Sequence, residues 1–286
     1  METYCRNEAD TLHSVVLGYP DNFHADPTAV EIVNNTQLHC YADSQTRPTA
    51  QRLKPEFDAF RQELKKQGVN VFYPTPCSVP DQLTPRDIGF VCGETFFLAQ
   101  MARASRKLEY EGIGFLLKNM ERVVKVPETV VIEGGDIIVD KGVVFVGVSQ
   151  RTTMDGYRWL AKQLPTFVVI PVPLRSLNDG EDCLHLDCVF VPVGTNHALI
   201  YPNGIEGKIP AKLKQYEWLE VTKEEQSQLA TNVLSLSKNC VISRHSATRV
   251  NKLLEKIGLQ VIDLKFDEAP KTGGSFRCCT LPLIRR

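Results

Sequence analysis

The sequence has no Cys-x-x-Cys pair, no long apolar run, no surplus of either charge and no low-complexity linker. Each absence removes a possibility. Lys plus Arg number 33 against 34 for Asp plus Glu. That near balance argues against a nucleic-acid partner, because binding phosphate backbones needs clustered positive charge. No apolar stretch approaches the ~20 residues needed to cross a bilayer as a helix, which excludes a membrane span of that kind. Met1–Asp10 is polar and partly acidic, without the apolar core of a secretory signal or the Arg/Ser bias of a transit peptide. The expected location is cytoplasmic. With no linker to divide it, the chain reads as one domain over 1–286.

The nine cysteines are odd in number and scattered. Without Cys-x-x-Cys spacing they suggest neither a zinc ribbon nor a thioredoxin-type site. In a reducing compartment such thiols serve as small apolar core residues. A cysteine with a chemical role must therefore be recognised from its surroundings.

What is present is a recurring grammar. Short Val/Ile-rich segments bounded by turn residues predict strands at Ser14–Leu17, Asn70–Tyr73, Val130–Ile132, Ile137–Val139, Val143–Val146, Phe167–Val172, Cys188–Val193 and Ala198–Tyr201. Val233–Leu236, Val241–Ser243 and Gln260–Leu264 follow. Helical periodicity covers Arg52–Gln67, Thr153–Leu164 and His245–Ile257, with capping candidates between Ser243 and Thr248. Arg52–Tyr73 and His245–Leu264 share one order: charged amphipathic helix, glycine (Gly68 or Gly258), apolar strand. Thr153–Val172 repeats it with Pro165 at the break. Repeated helix–strand–hairpin units point to a closed α/β array of similar modules. An irregular α/β sheet is the alternative.

Four segments set ionisable residues beside glycines or at strand ends: Thr84–Asp87, Glu133–Asp136, His185–Asp187 and Gly273–Cys279. Taken singly each has a bland explanation, since Gly-Gly commonly makes a hairpin turn and His-x-Asp recurs by chance. Together they supply a nucleophile, an acid/base and several carboxylates. On a strand, His185 and Asp187 would face one side. A His/Asp/Glu metal site competes with covalent chemistry here, and the candidate cysteine favours the latter.

These segments, in this order, resemble the signatures of the guanidino-group-modifying superfamily: arginine deiminases, arginine dihydrolases, dimethylarginine dimethylaminohydrolases and amidinotransferases. Val15–Pro20 resembles the opening strand. The resemblance implies a five-bladed α/β propeller with pseudo-fivefold symmetry and an active site on its axis. It implies Cys278 as nucleophile, with Cys279 the alternative, His185 as general acid/base, and Glu133 as the carboxylate that orients it. Asp87 and Asp187 resemble the pair that grips a guanidinium, and Arg106 and Arg151 the arginines that meet the substrate's α-carboxylate. No metal or cofactor is implied. The expected partner is a small molecule, arginine or a derivative, and folds of this kind support homodimers.

Among the relatives, dimethylarginine hydrolases typically carry lysine two residues after the histidine, whereas this chain has His-Leu-Asp. Two carboxylates suit a guanidinium whose terminal nitrogens keep their protons, because a methylated nitrogen would leave one buried carboxylate partly unpaired. Dihydrolases, which release ornithine and two ammonia, tend to have asparagine where this chain has Asp87. The resemblance therefore favours arginine going to citrulline and ammonia. Methylarginine hydrolysis, dihydrolysis and a non-catalytic binding role on the same fold are the alternatives. The Asp21–Phe23 stretch reads as a plain surface loop, with closure over substrate the alternative.

Overall fold

The computed structural model describes residues 1–23, 35–80 and 82–286. Its strands form five three-stranded sheets, each built on one plan. A hairpin joins the first two strands antiparallel, and the third returns parallel to the middle one. The blades are β3 (Gly89–Cys92), β4 (Thr95–Leu98) and β5 (Val123–Lys125); β6 (Ile137–Asp140), β7 (Val143–Val148) and β8 (Val168–Pro173); and β9 (Phe190–Val193), β10 (His197–Ile200) and β11 (Glu217–Glu220). A fourth consists of β12 (Leu234–Ser237), β13 (Cys240–Arg244) and β14 (Gln260–Leu264). The fifth is closed by the chain's two ends: β15 (Thr280–Arg285) runs antiparallel to β1 (Leu12–Leu17), which pairs parallel with β2 (Asn70–Phe72). This is the five-bladed α/β propeller.

Parallel return requires a crossover on each sheet's outer side. Helix α2 (Ala50–Lys66) supplies it between β1 and β2, burying Leu53, Phe57, Phe60 and Leu64 at helical spacing. Thr49 caps it by accepting from the backbone of Arg52, and Gly68 follows at φ +77. The left-handed conformation there suits glycine, as it does at Gly258 after α6 (Thr248–Lys256). Helix α4 (Met154–Gln163) takes the same place between β7 and β8, capped by Thr153.

The expected helices recur within a few residues of their predicted ends, though α6 begins after Ala247 with no side-chain cap. Val130–Ile132 forms no strand, only a single bridge from Ile132 to Gln100. The segment begun at Cys188 also differs: Leu186–Cys188 is a 3-10 turn, and the strand starts at Phe190.

That turn belongs to a set. Each first strand is led into by a tight segment on the axis: 85–88 before β3, 134–136 before β6, 186–188 before β9, 231–233 before β12 and 276–279 before β15. Consecutive segments are tied in a ring. Gly134 N donates to Asp87 O (3.0 Å), Leu186 N to Asp136 Oδ1 (2.9 Å) and Thr231 Oγ1 to Asp187 O (3.1 Å). Cys278 N then donates to Asn232 Oδ1 (3.0 Å) and Arg86 N to Cys278 O (3.2 Å).

Candidate active site

The lead-in segments open on a pocket of about 790 Å³, counting its mouth, lined by Asp87, Arg106, Arg151, His185 and Cys278. Thr84, Arg103, Glu109 and Phe23 also line it. Phe23 is buried, so the Asp21–Phe23 stretch does not end as a plain surface loop. Glu133 and Asp187 lie immediately behind the wall, both fully buried.

His185 sits in extended conformation before its turn, and its Nε2 lies 2.9 Å from Glu133 Oε2. Its Nδ1 is 3.7 Å from Asp87 Oδ1. Burial alone would lower its pKa, but Asp87 and the hydrogen bond to Glu133 overcome this and hold the imidazole up at about 9. At neutral pH it is therefore a cation between two carboxylates. Burial also works against the charge on Glu133, yet His185 and Arg151 keep it ionised, well below the usual carboxylate range. Gly135 makes this approach possible: a Cβ there would stand 2.7 Å from both Asp87 Oδ1 and His185 Nδ1.

Because Asp187 lies within a turn, it does not share a face with His185 as a strand would require. It points instead to Arg277, whose Nη1 donates to Oδ2 at 2.9 Å, and to Cys278, whose Sγ lies 3.5 Å from the same oxygen. Cys278 faces the pocket, while Cys279 is buried in the apolar core with Phe60, Phe266 and Phe276. Burial pushes the Cys278 thiol well up, and the charges of Asp187 and Asp87 push it further. Without a cation beside it the sulfur stays protonated.

Both arginines expected to bind a substrate carboxylate are already engaged. Arg106 donates Nη1 to Asp87 Oδ2 (2.7 Å), Nε and Nη2 to Glu109 (2.6 and 2.8 Å) and Nη2 to Thr84 Oγ1 (2.8 Å). Arg151 donates Nη1 to both oxygens of Glu133 (3.2 and 3.3 Å). Arg103, partly exposed at the pocket, makes no ion pair among the described residues. On Asp87, Oδ1 is buried and accepts no hydrogen bond. An unpartnered buried carboxylate oxygen costs free energy, and a cationic N–H donor in the pocket would recover it.

Asp87, Glu133 and His185 also offer one ligand atom each within 4.8 Å of one another, the reach of a metal trio. Arg106, shared with Glu109, pairs with Asp87, and Arg151 and His185 pair with Glu133, so a metal would have to compete with three cations here.

Sequence reasoning named no role for Arg277, Glu109, Asp136, Asn232 or Glu8. Arg277 and Asp136 stand inside the motifs, beside Cys278 and Glu133, and their burial was the missing signal. Asp136 accepts from Leu186 N and Ser149 Oγ, and burial raises its carboxyl to about 7 despite His185. Nothing in the local sequence marks Asn232 or Glu8, whose places come from tertiary closure.

The five-bladed propeller is the fold of solved guanidino-group-modifying proteins similar to this chain, and the family match places the chain in that superfamily. The chain belongs to the N,N-dimethylarginine dimethylhydrolase family of eukaryotic type, matching it over residues 19–285. It is 38% identical to YkgA, an uncharacterised protein of Bacillus subtilis strain 168, across 99% of this chain and 96% of that one. SxtG, an amidinotransferase of Microseira wollei, shares the fold with a TM-score of 0.82 at 21% identity, covering 99% of this chain and 97% of that one. So does the N-terminal domain of ArgZ, an arginine dihydrolase from cyanobacteria, solved with a covalently bound reaction intermediate. Its TM-score is 0.82 at 20% identity, over 95% of this chain and 98% of that one.

Proposed function

We propose that this chain hydrolyses a C–N bond in the guanidinium of arginine, giving citrulline and ammonia through a covalent intermediate on Cys278. The observation that carries the reading is the convergence, in one pocket, of the Cys278 thiol, the protonated His185 and the unpartnered Oδ1 of Asp87.

A guanidinium carbon is a weak electrophile because its charge is delocalised, so catalysis must hold it against a nucleophile. Asp87 Oδ1 takes an N–H of the cation and fixes its plane. Two carboxylates hold the Cys278 proton on, and the arriving positive charge offsets them, so binding favours loss of that proton to solvent. The thiolate adds to the guanidinium carbon. His185 gives its proton to the departing amine, which leaves as ammonia, and the carbon remains on sulfur as a thiouronium. Now neutral, His185 takes a proton from water. The hydroxide adds to the carbon, the C–S bond breaks, the new hydroxyl gives its proton to solvent, and citrulline departs with the thiolate restored. Glu133 holds the imidazole throughout and stabilises its charged form. Arg103 is the cation free to meet the α-carboxylate, with Arg106 and Arg151 shaping the wall behind it. The covalent intermediate solved in ArgZ supports this route.

A second reading, release of a methylamine from a methylated arginine, is favoured by the family match. Asp187 argues against it, because a methyl group facing that buried carboxylate would displace a proton donor. Incubation with arginine and, separately, with dimethylarginine tests both. Citrulline with one ammonia per arginine supports the proposal, and dimethylamine release favours the second reading. Ornithine with two ammonia indicates dihydrolysis. Turnover appearing only when glycine or another amine is added indicates amidino transfer. No turnover of any substrate leaves a binding role. Full activity in Cys278→Ser would overturn the covalent route.

A further inference from the structure

Behind the pocket wall lies a line of alternating charge that the reaction as described does not use. Arg277 is fully buried, and all three of its guanidinium nitrogens are engaged. Nε and Nη2 donate to Glu8 Oε1 and Oε2 at 2.9 and 3.2 Å, Nη2 also to Ile137 O at 3.0 Å, and Nη1 to Asp187 Oδ2 at 2.9 Å. Glu8, from the segment before β1, is itself buried. Oδ2 of Asp187 also lies 3.5 Å from the Cys278 sulfur. An aspartate paired with one arginine is neutral overall and offers little to a second cation. With Glu8 added, the trio carries net negative charge beside the nucleophile, and a guanidinium completes the alternation.

We infer that Glu8 is a positioning residue for substrate recognition: through Arg277 it fixes the carboxylate of Asp187 beside Cys278 and preserves its negative charge for an incoming guanidinium. The inference rests on the proposed function. Arg86 and Arg285 are the other cations beside Glu8, and Cys5 is a buried thiol among them. Burial opposes ionisation of Glu8, but Arg277 and Arg86 hold its carboxyl down at about 2, so it is charged at any working pH. Facing Cys278 are Asp187, Asp87 and the thiols of Cys188 and Cys279.

Glu8→Gln keeps the shape and removes the charge. Two readouts follow: kcat and KM for arginine, and the pH dependence of Cys278 alkylation by iodoacetamide without substrate, resolved from Cys279 by fragment mass spectrometry. KM is expected to rise about tenfold with a smaller change in kcat, and the alkylation midpoint to fall by about one pH unit as Arg277 stabilises the thiolate. Glu8→Asp, which keeps the charge, should stay near the wild-type midpoint. If Glu8→Gln does not fold, the double variant Glu8→Gln/Arg277→Gln also removes the guanidinium that Glu8 holds against Asp187, with Arg86 and Arg285 left in place. Asp187 alone then restores the net charge, and the midpoint is expected back near wild type. Folded Glu8→Gln protein with unchanged KM and midpoint would overturn the inference, as would equal losses in Glu8→Gln and Glu8→Asp. If wild-type protein ignores arginine yet the midpoint moves as expected, the clamp stands and the proposed reaction fails.

Discussion

Replacing Asp87 by asparagine removes one negative charge at the substrate's side of the pocket with almost no change in shape. The fold should tolerate it. Arg106 keeps both contacts to Glu109 and both to Thr84, so only its 2.7 Å pair with Asp87 is weakened to a neutral hydrogen bond. That costs about 1–2 kcal/mol of stability. Substrate loses more. The unpartnered Oδ1 is the acceptor proposed for the guanidinium, and a charged hydrogen bond is worth about 1.5–3 kcal/mol, so kcat/KM should fall roughly 10- to 150-fold. Asp87 is also the leading cause of the raised His185 pKa, so the imidazole should titrate below its present value of about 9. The assay is citrulline formation across substrate concentration, with a thermal melt to confirm folding and NMR titration of His185. The family resemblance implies asparagine here for dihydrolases, so ornithine is measured alongside. A variant that melts like wild type and keeps kcat/KM within threefold would refute Asp87 as the gripping acid.

Arg103→Gln should raise KM for arginine about tenfold while barely changing turnover of a guanidine that lacks a carboxylate; equal effects on both would remove Arg103 from carboxylate binding. Gly135→Ala forces a Cβ to within 2.7 Å of Asp87 Oδ1 and the His185 ring, so kcat should drop by an order of magnitude or more with the fold retained, as circular dichroism and activity together would show. Stability should depend on pH through His185. Its folded pKa of about 9 lies above the ordinary 6.5, so the folded state binds the proton more tightly. The stabilisation is complete below about pH 6.5 and is lost as pH rises through about 9, and His185→Gln should flatten that decline in chemical denaturation measured from pH 6 to 10.

The blades with strong Val and Ile runs were legible in the sequence because period and turn chemistry agree there. One blade was not. Gly-Phe-Val-Cys and Thr-Phe-Phe-Leu make β3 and β4, each four residues long and buried but for the half-buried Thr95, with no alternation to announce a strand. The third strand of that blade, β5, has three residues. Val130–Ile132 erred the other way: its composition suits a strand, but its neighbours offer a single bridge. At the site, residue identities in the motifs were enough to nominate Cys278, His185, Glu133 and Asp87, and all four meet at the pocket or its wall. The relation of His185 to Asp187 was misjudged because strand periodicity was applied to a 3-10 turn. No local pattern reveals that a turn will point consecutive polar side chains toward different partners. The engagement of Arg106 and Arg151 was hidden for a related reason, since Glu109 carries no motif and ion pairing is a tertiary fact.

The ring of lead-in segments explains why a weak repeat in the sequence can hold a demanding site. Each blade needs its first strand to begin near the axis, where its lead-in backbone would be left with unpaired groups as the blades close. Those groups are satisfied by the neighbouring segment: Asp87 O by Gly134, Asp187 O by Thr231, Cys278 N by Asn232 and Cys278 O by Arg86. The bonds that close the propeller therefore also set the spacing of the carboxylate, imidazole and thiol. Stability and geometry cannot be separated there. A substitution that loosens one link, such as Asn232→Ala at the amide of Cys278, should displace the sulfur even though Asn232 is not among the residues lining the pocket. Its signature is a fall in kcat larger than the loss of stability alone would cause, with KM little changed. If instead kcat, KM and melting temperature of Asn232→Ala all stayed at wild-type values, the ring would be a consequence of packing and the site would owe its order to the ion pairs alone.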